Sequence, residues 1–102
     1  MRASLPVNKF ELRDVGDGHF ELSGDMSFAT AADILRASER SFGEFRNLEV
    51  DLSKVRKADS AGLALLLEWK ARAHQNATEI EYVGIPDSLL AIASTTEVSD
   101  LI

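Results

Sequence analysis

The chain has 102 residues, seventeen acidic against eleven Lys and Arg, for a formal charge of −6, and contains no cysteine. That length suffices for one domain burying roughly 65% of the surface its unfolded form exposes. The absent cysteines exclude a disulfide frame and a thiolate metal site, and the negative charge repels nucleic acid and anionic lipid unless a basic patch overrides it, whereas the cations are scattered.

Residues 1–8 carry no periodicity and read as a loose lead-in to a single domain over 9–102. They lack the apolar centre of a signal peptide, and no run approaches the roughly 18 apolar residues of a membrane span, so a cytoplasmic location is expected. Phe10 and Leu12 alternate with Lys9, Glu11 and Arg13; after Gly16-Asp17-Gly18 the alternation resumes with Phe20 and Leu22 against Glu21 and Ser23. This predicts a hairpin, with Gly16 or Gly18 supplying the positive φ. Gly24-Asp25-Met26-Ser27 breaks the strand, and Ser27 is the expected N-cap of a helix running to about Phe42 with Phe28, Ala31, Leu35 and Phe42 on its buried stripe. Gly43 ends it.

Leu48, Val50 and Leu52 alternate with Glu49, Asp51 and Ser53, the two-residue period of a strand with one buried face, and a polar turn is expected over 53–59. A helix then runs from Asp59-Ser60 to about His74, because both residues carry side-chain oxygens that can accept orphan N–H groups. Glu79 to Val83 alternates again, and Gly84 stops it. Pro86 suits the first turn of a further helix bearing Leu89, Leu90, Ile92 and Ala93, and residues 97–102 fit one short turn.

The order strand, strand, helix, strand, helix, strand, helix predicts an α/β fold with a mixed sheet of four to five strands, the parallel members joined by crossovers. Strands covered on both faces would be apolar throughout. Here Glu11, Arg13, Glu21, Glu49, Asp51, Glu79 and Glu81 stand at alternate places, so the helices are expected mainly on one face and the other is wet and mainly acidic.

The helix after Ser60 carries more apolar residues than one sheet can bury. At 100° per residue Leu63, Ala64, Leu67 and Ala71 gather on one side, and Leu65 and Trp69 fall opposite, next to Glu68 and Arg72. Leu65 and Trp69 either pack under a neighbouring helix or form a partner surface, and the preference of Trp for interface anchors favours the partner. Ser60 can act as a cap worth about 1 kcal/mol or as a phosphorylation site, since a phosphate at a helix start meets free N–H groups and the positive dipole end. A nucleophilic role fails for want of a base: His74 lies about 21 Å along the same helix axis at 1.5 Å per residue. No phosphate-cradling glycine loop is present, two distant histidines make a poor metal site, and Asp51 and Asp59 are accounted for as a solvated strand residue and a cap. No active site and no cofactor are expected.

These residues carry a resemblance. Asp51-Leu52-Ser53 followed by Asp59-Ser60-Ala61-Gly62-Leu63 resembles the strand–turn–helix signature of the STAS domain family, named for sulphate transporters and anti-sigma factor antagonists. Gly24-Asp25-Met26 with Thr30-Ala31 is similar to its second motif, although Ser27 stands where the family usually has Asp. The likeness spans nearly the whole chain and implies the family fold, a sheet with helices wound on one side. Residues 61–69 are most similar to the MlaB branch, the STAS subunits of phospholipid-transport ABC complexes of Gram-negative bacteria. That resemblance implies a non-catalytic subunit, peripheral to the inner membrane, that binds an ABC ATPase (MlaF-like) and through it a permease (MlaE-like) and an MlaD-like subunit. It places Ser60 at the contact, with Asp59, Ala61, Leu65, Glu68 and Trp69 around it on helical geometry. The other branch implies an anti-sigma factor antagonist switched by phosphorylation of Ser60.

Overall fold

The hairpin forms as its turn residues dictate. A computed structural model describes residues 9–102, and the lead-in over 1–8 lies outside them. Strands β1 (Phe10–Gly16) and β2 (His19–Met26) pair antiparallel around Asp17-Gly18, whose φ values of 56° and 80° give the twist that a two-residue hairpin loop needs. Gly16 is also left-handed, at 102°, beside a register shift that leaves Val15 exposed. The chain continues through α1 (Ala31–Glu39), a short 3₁₀ turn (Phe42–Glu44), β3 (Asn47–Ala58), α2 (Ser60–Gln75), β4 (Glu79–Val83), α3 (Asp87–Thr95) and a last 3₁₀ turn (Ser99–Leu101). The sheet has the order β1-β2-β3-β4, with β2, β3 and β4 mutually parallel.

One face of this sheet is the core. Phe20 and Leu22 of β2, Leu48, Val50 and Leu52 of β3 and Ile80 of β4 point into it and are buried with Ile34, Leu63, Leu66, Leu89 and Ala93 from the helices. The opposite face carries Glu11, Arg13, Glu21, Glu49, Asp51, Glu79 and Glu81, and Glu49 stands beside Glu81 in register. This is the one-sided α/β arrangement that the alternating strands predict.

Two expectations are corrected. The polar segment 53–58 is strand, not turn: β3 continues along β2 as far as Met26↔Ala58. Its register slips between Glu21 and Ser23 and again between Gly24 and Asp25, each slip adding one residue to β3. Each added residue is a bulge, which lengthens the spacing of inward side chains from two to three, so Leu52, Val55 and Ala58 face inward while Ser53, Lys54, Arg56 and Lys57 face water. A period of three with polar pairs between reads as a loop to any test for alternation. Asp51 stabilises the first slip by accepting from the backbone N–H of Ser53 at 2.9 Å and from its hydroxyl at 2.6 Å. These hydrogen bonds, the hydroxyl first, hold the Asp51 carboxyl below the usual range.

The helix expected from Ser27 to Phe42 is shorter. Regular helix begins at Ala31, preceded by a turn in which the Ser27 carbonyl accepts from the N–H groups of Thr30 and Ala31. The buried face of α1 is Ile34 and Ser38, with Leu35 only half-buried, and Phe28 is outside the helix and 80% exposed. Phe42 belongs to the separate 3₁₀ turn.

Candidate functional site

Asp59, not Ser60, caps α2. Its Oδ1 accepts from the N–H of Ala61 at 2.9 Å, and Oδ2 accepts from the N–H of Phe28 at 3.3 Å, so one carboxylate ties the start of α2 to the loop between β2 and α1. The Asp59 N–H reinforces this by donating to the Met26 carbonyl at 3.3 Å. Gly62 permits the approach, because a Cβ there would lie 2.6 Å from the Met26 carbonyl oxygen. The Asp-Ser-x-Gly spacing thus has a steric cause: a cap at the first place and no side chain where the helix rides over β2.

The loop on the other side is equally fixed. Buried Thr30 accepts the Ser27 N–H at 2.9 Å through Oγ1 and donates the same hydroxyl to the Asp25 carbonyl at 2.9 Å. Buried Asp25 pairs with Arg56 of β3 at 3.2 Å. Phe28 therefore stands exposed on a segment whose flanking residues Ser27 and Thr30 are buried and hydrogen-bonded. An exposed aromatic on a fixed backbone loses little freedom when a partner covers it.

Between this loop, α1 and α2 lies a shallow apolar groove of about 510 Å³ lined by Phe28, Ala31, Ala32, Leu35, Ser60, Ala61, Ala64, Leu65 and Glu68. Of the six residues singled out from sequence, Ser60, Ala61, Leu65 and Glu68 meet here. Asp59 supports the groove from behind. Leu65 is 4% exposed and forms floor rather than rim.

Trp69 is elsewhere. It is 3% exposed under α1, its Nε1 donates to Ser38 Oγ at 2.9 Å, and its ring packs 5.3 Å from Phe42 and 6.3 Å from Tyr82. The expectation of an exposed partner surface carrying Trp69 is corrected: Trp69 is buried against Ser38 of α1, whereas Leu65, equally buried, still lines the groove. The buried arc of α2 is centred on Leu66 and runs through Gly62, Leu63, Leu65, Trp69 and Ala73, while Ser60, Ala64, Glu68 and Ala71 face outward. Alanine is indifferent to burial, and counting Ala64 and Ala71 as core rotated the predicted face.

Ser60 is the first residue of α2, exposed, with no side-chain hydrogen bond among the described residues. Glu68 at the far rim binds Arg72 at 2.7 Å, and Arg72 reaches Glu39 of α1 at 2.5 Å, so the two helices are also linked across their wet side. Phe28, Ala31, Ala32, Leu35 and Ala64 are groove residues that sequence reasoning did not select. Phe28 carries a usable signal in the sequence, an aromatic between a Gly-Asp break and a Thr whose hydroxyl can fix the turn.

The described residues include no cluster of three or more His, Cys, Asp or Glu able to hold a metal, and no helix long and apolar enough to cross a membrane. The lining of the groove is apolar apart from Ser60 and Glu68.

The architecture is shared with known structures. Over 90% of this chain and 84% of the other, the fold matches the anti-sigma factor antagonist SpoIIAA in its unphosphorylated form at 13% identity and TM-score 0.67. A part of Mglu, 18% of that chain, matches 71% of this one at 20% identity and TM-score 0.55. The class is therefore the SpoIIAA-like α/β fold of STAS domains. Residues 12–102 match the family model described as Mlab, STAS domain, and the chain belongs to that MlaB-type STAS family. A search of curated proteins found no match.

Proposed function

We propose that this chain is the non-catalytic STAS subunit of an Mla-type ABC phospholipid transporter. It docks on the ATPase subunit through the Phe28–Ser60 groove, is held to the inner membrane through that complex with its permease and MlaD-like subunit, and supports assembly and activity in maintaining outer-membrane lipid asymmetry. The observation that carries this reading is the exposed Phe28 on a hydrogen-bonded loop beside the small outward residues Ser60, Ala61 and Ala64. An exposed large aromatic is a liability in a free chain and an anchor in a lasting complex. Membership of the MlaB-type family points the same way.

A second reading, an anti-sigma factor antagonist switched at Ser60, draws on one specific feature: the exposed hydroxyl in the first turn of α2, where free N–H groups and the helix dipole favour a phosphate. A mild-detergent pull-down of the tagged protein from its native membranes, followed by mass spectrometry, separates the two. Recovery of an ABC ATPase with its permease is the expected result. A soluble kinase in its place, with phosphate on Ser60, would overturn the transporter reading.

A further inference from the structure

We infer that Asp59 is a positioning residue for Phe28: its carboxylate, divided between the first turn of α2 and the loop before α1, holds the aromatic ring in the pose that the partner reads. The inference rests on the docking role proposed for the groove and adds a residue that never has to touch the partner.

The argument begins with oxygen counting. A helix cap needs one acceptor, and Oδ1 at 2.9 Å from the Ala61 N–H supplies it. The second oxygen is free for other use. It lies 3.3 Å from the N–H of Phe28, thirty-one residues earlier in the chain. Ser, Thr and Asn cap helices as well as Asp, but each brings a single accepting oxygen to this place, whereas the two amides here are met by two different oxygens of one carboxylate. The second oxygen of Asp59 thus serves the Phe28 loop rather than the helix. The remaining ties of that loop fall on either side of Phe28, on Thr30 and Ala31 after it and on Asp25 and the Met26 carbonyl before it. The Asp59 bond alone acts on the Phe28 amide itself.

Asp59→Asn separates the two duties, since its carbonyl oxygen keeps the cap and its NH₂ cannot accept from Phe28. Asp59→Ser is the second variant, capping with a shorter side chain that ends before the loop. In the isolated, folded protein the Phe28 amide is expected to exchange at least tenfold faster in either variant, with the amides of α2 unchanged. Unchanged protection of that amide in both variants overturns the inference.

Affinity is then measured for the ATPase subunit purified with its permease. Phe28→Ala is expected to weaken binding by roughly thirtyfold and Asp59→Asn by roughly tenfold, as an anchor and its support should. In the Phe28→Ala background Asp59→Asn should have no further effect, because it acts only through that ring. Additive losses would mean that Asp59 contacts the partner directly and would overturn the positioning role; full affinity of Asp59→Asn despite a freed amide would do the same. Absence of binding by the wild-type chain overturns the docking reading instead, and the amide measurement still decides whether Asp59 holds the loop.

Discussion

At the scale of single residues, the signature around Ser60 separates into three jobs. Asp59 caps and ties, Ser60 is presented, and Gly62 makes room. Gly62→Ala should destabilise the fold by about 1–3 kcal/mol even though alanine is the better helix former by roughly 1 kcal/mol, because the new Cβ would meet a backbone oxygen that has no rotamer to escape into. Urea unfolding gives the value directly. Ser60→Glu should behave in the opposite sense: a carboxylate in the first turn suits the helix dipole and leaves the melting temperature the same or slightly higher, while added bulk and charge at the groove should abolish binding of the ATPase proposed above as its partner. A variant that melts normally and still binds would remove Ser60 from the interface.

At the scale of elements, α1 and α2 are joined by a buried polar contact inside an apolar interface, the Trp69 indole N–H on the Ser38 hydroxyl. Ser38→Ala leaves that N–H buried without a partner, and about 1–3 kcal/mol of stability should go with it. Trp69 is the chain's single tryptophan, so its fluorescence follows the same unfolding transition that measures the loss. The elements themselves were largely legible in the sequence. The hairpin, β4, α2 and α3 follow from alternation, Asp-Gly turn chemistry and a proline in place. Two things were hidden for a shared reason: the feature that mattered lay in a register rather than in a residue type. The bulges of β3 turned a strand into an apparent turn, and two indifferent alanines rotated the buried face of α2. Four of the six residues selected from sequence consequently line one groove, whereas Trp69 is buried away from it and Phe28, read as part of a helix stripe, is exposed at it.

At the scale of the whole molecule, one face of the sheet is core and the other is water, and the pH limits of stability follow from groups on each. On the wet side the Asp51 carboxyl, held down by Ser53, stabilises the fold fully above the unfolded aspartate pKa of about 3.9 and progressively less as pH falls through its lower folded value. Ser53→Ala removes the hydroxyl bond, so the midpoint of acid unfolding should move to higher pH. On the core side the Tyr82 hydroxyl donates to the Leu66 carbonyl at 2.6 Å, and burial raises its pKa. A raised folded pKa contributes stability in full below the unfolded value of about 10 and loses it as pH rises beyond. Stability of the wild type should therefore decline above roughly pH 10, and Tyr82→Phe, weaker at neutral pH, should lack that contribution to the alkaline decline; circular dichroism across the range checks both.

The groove is not a local motif. Phe28 and Ser60 meet only because β2 and β3 lie side by side and parallel, and the bond between Asp59 and Phe28 closes a span of thirty-one residues. Parallel neighbours cannot pair until the intervening crossover is in place. A nascent or partly unfolded chain therefore carries every residue of the groove and none of its shape. A ligand that has to touch both sides of the groove at once would therefore distinguish the finished fold from a chain still lacking the β2–β3 pairing.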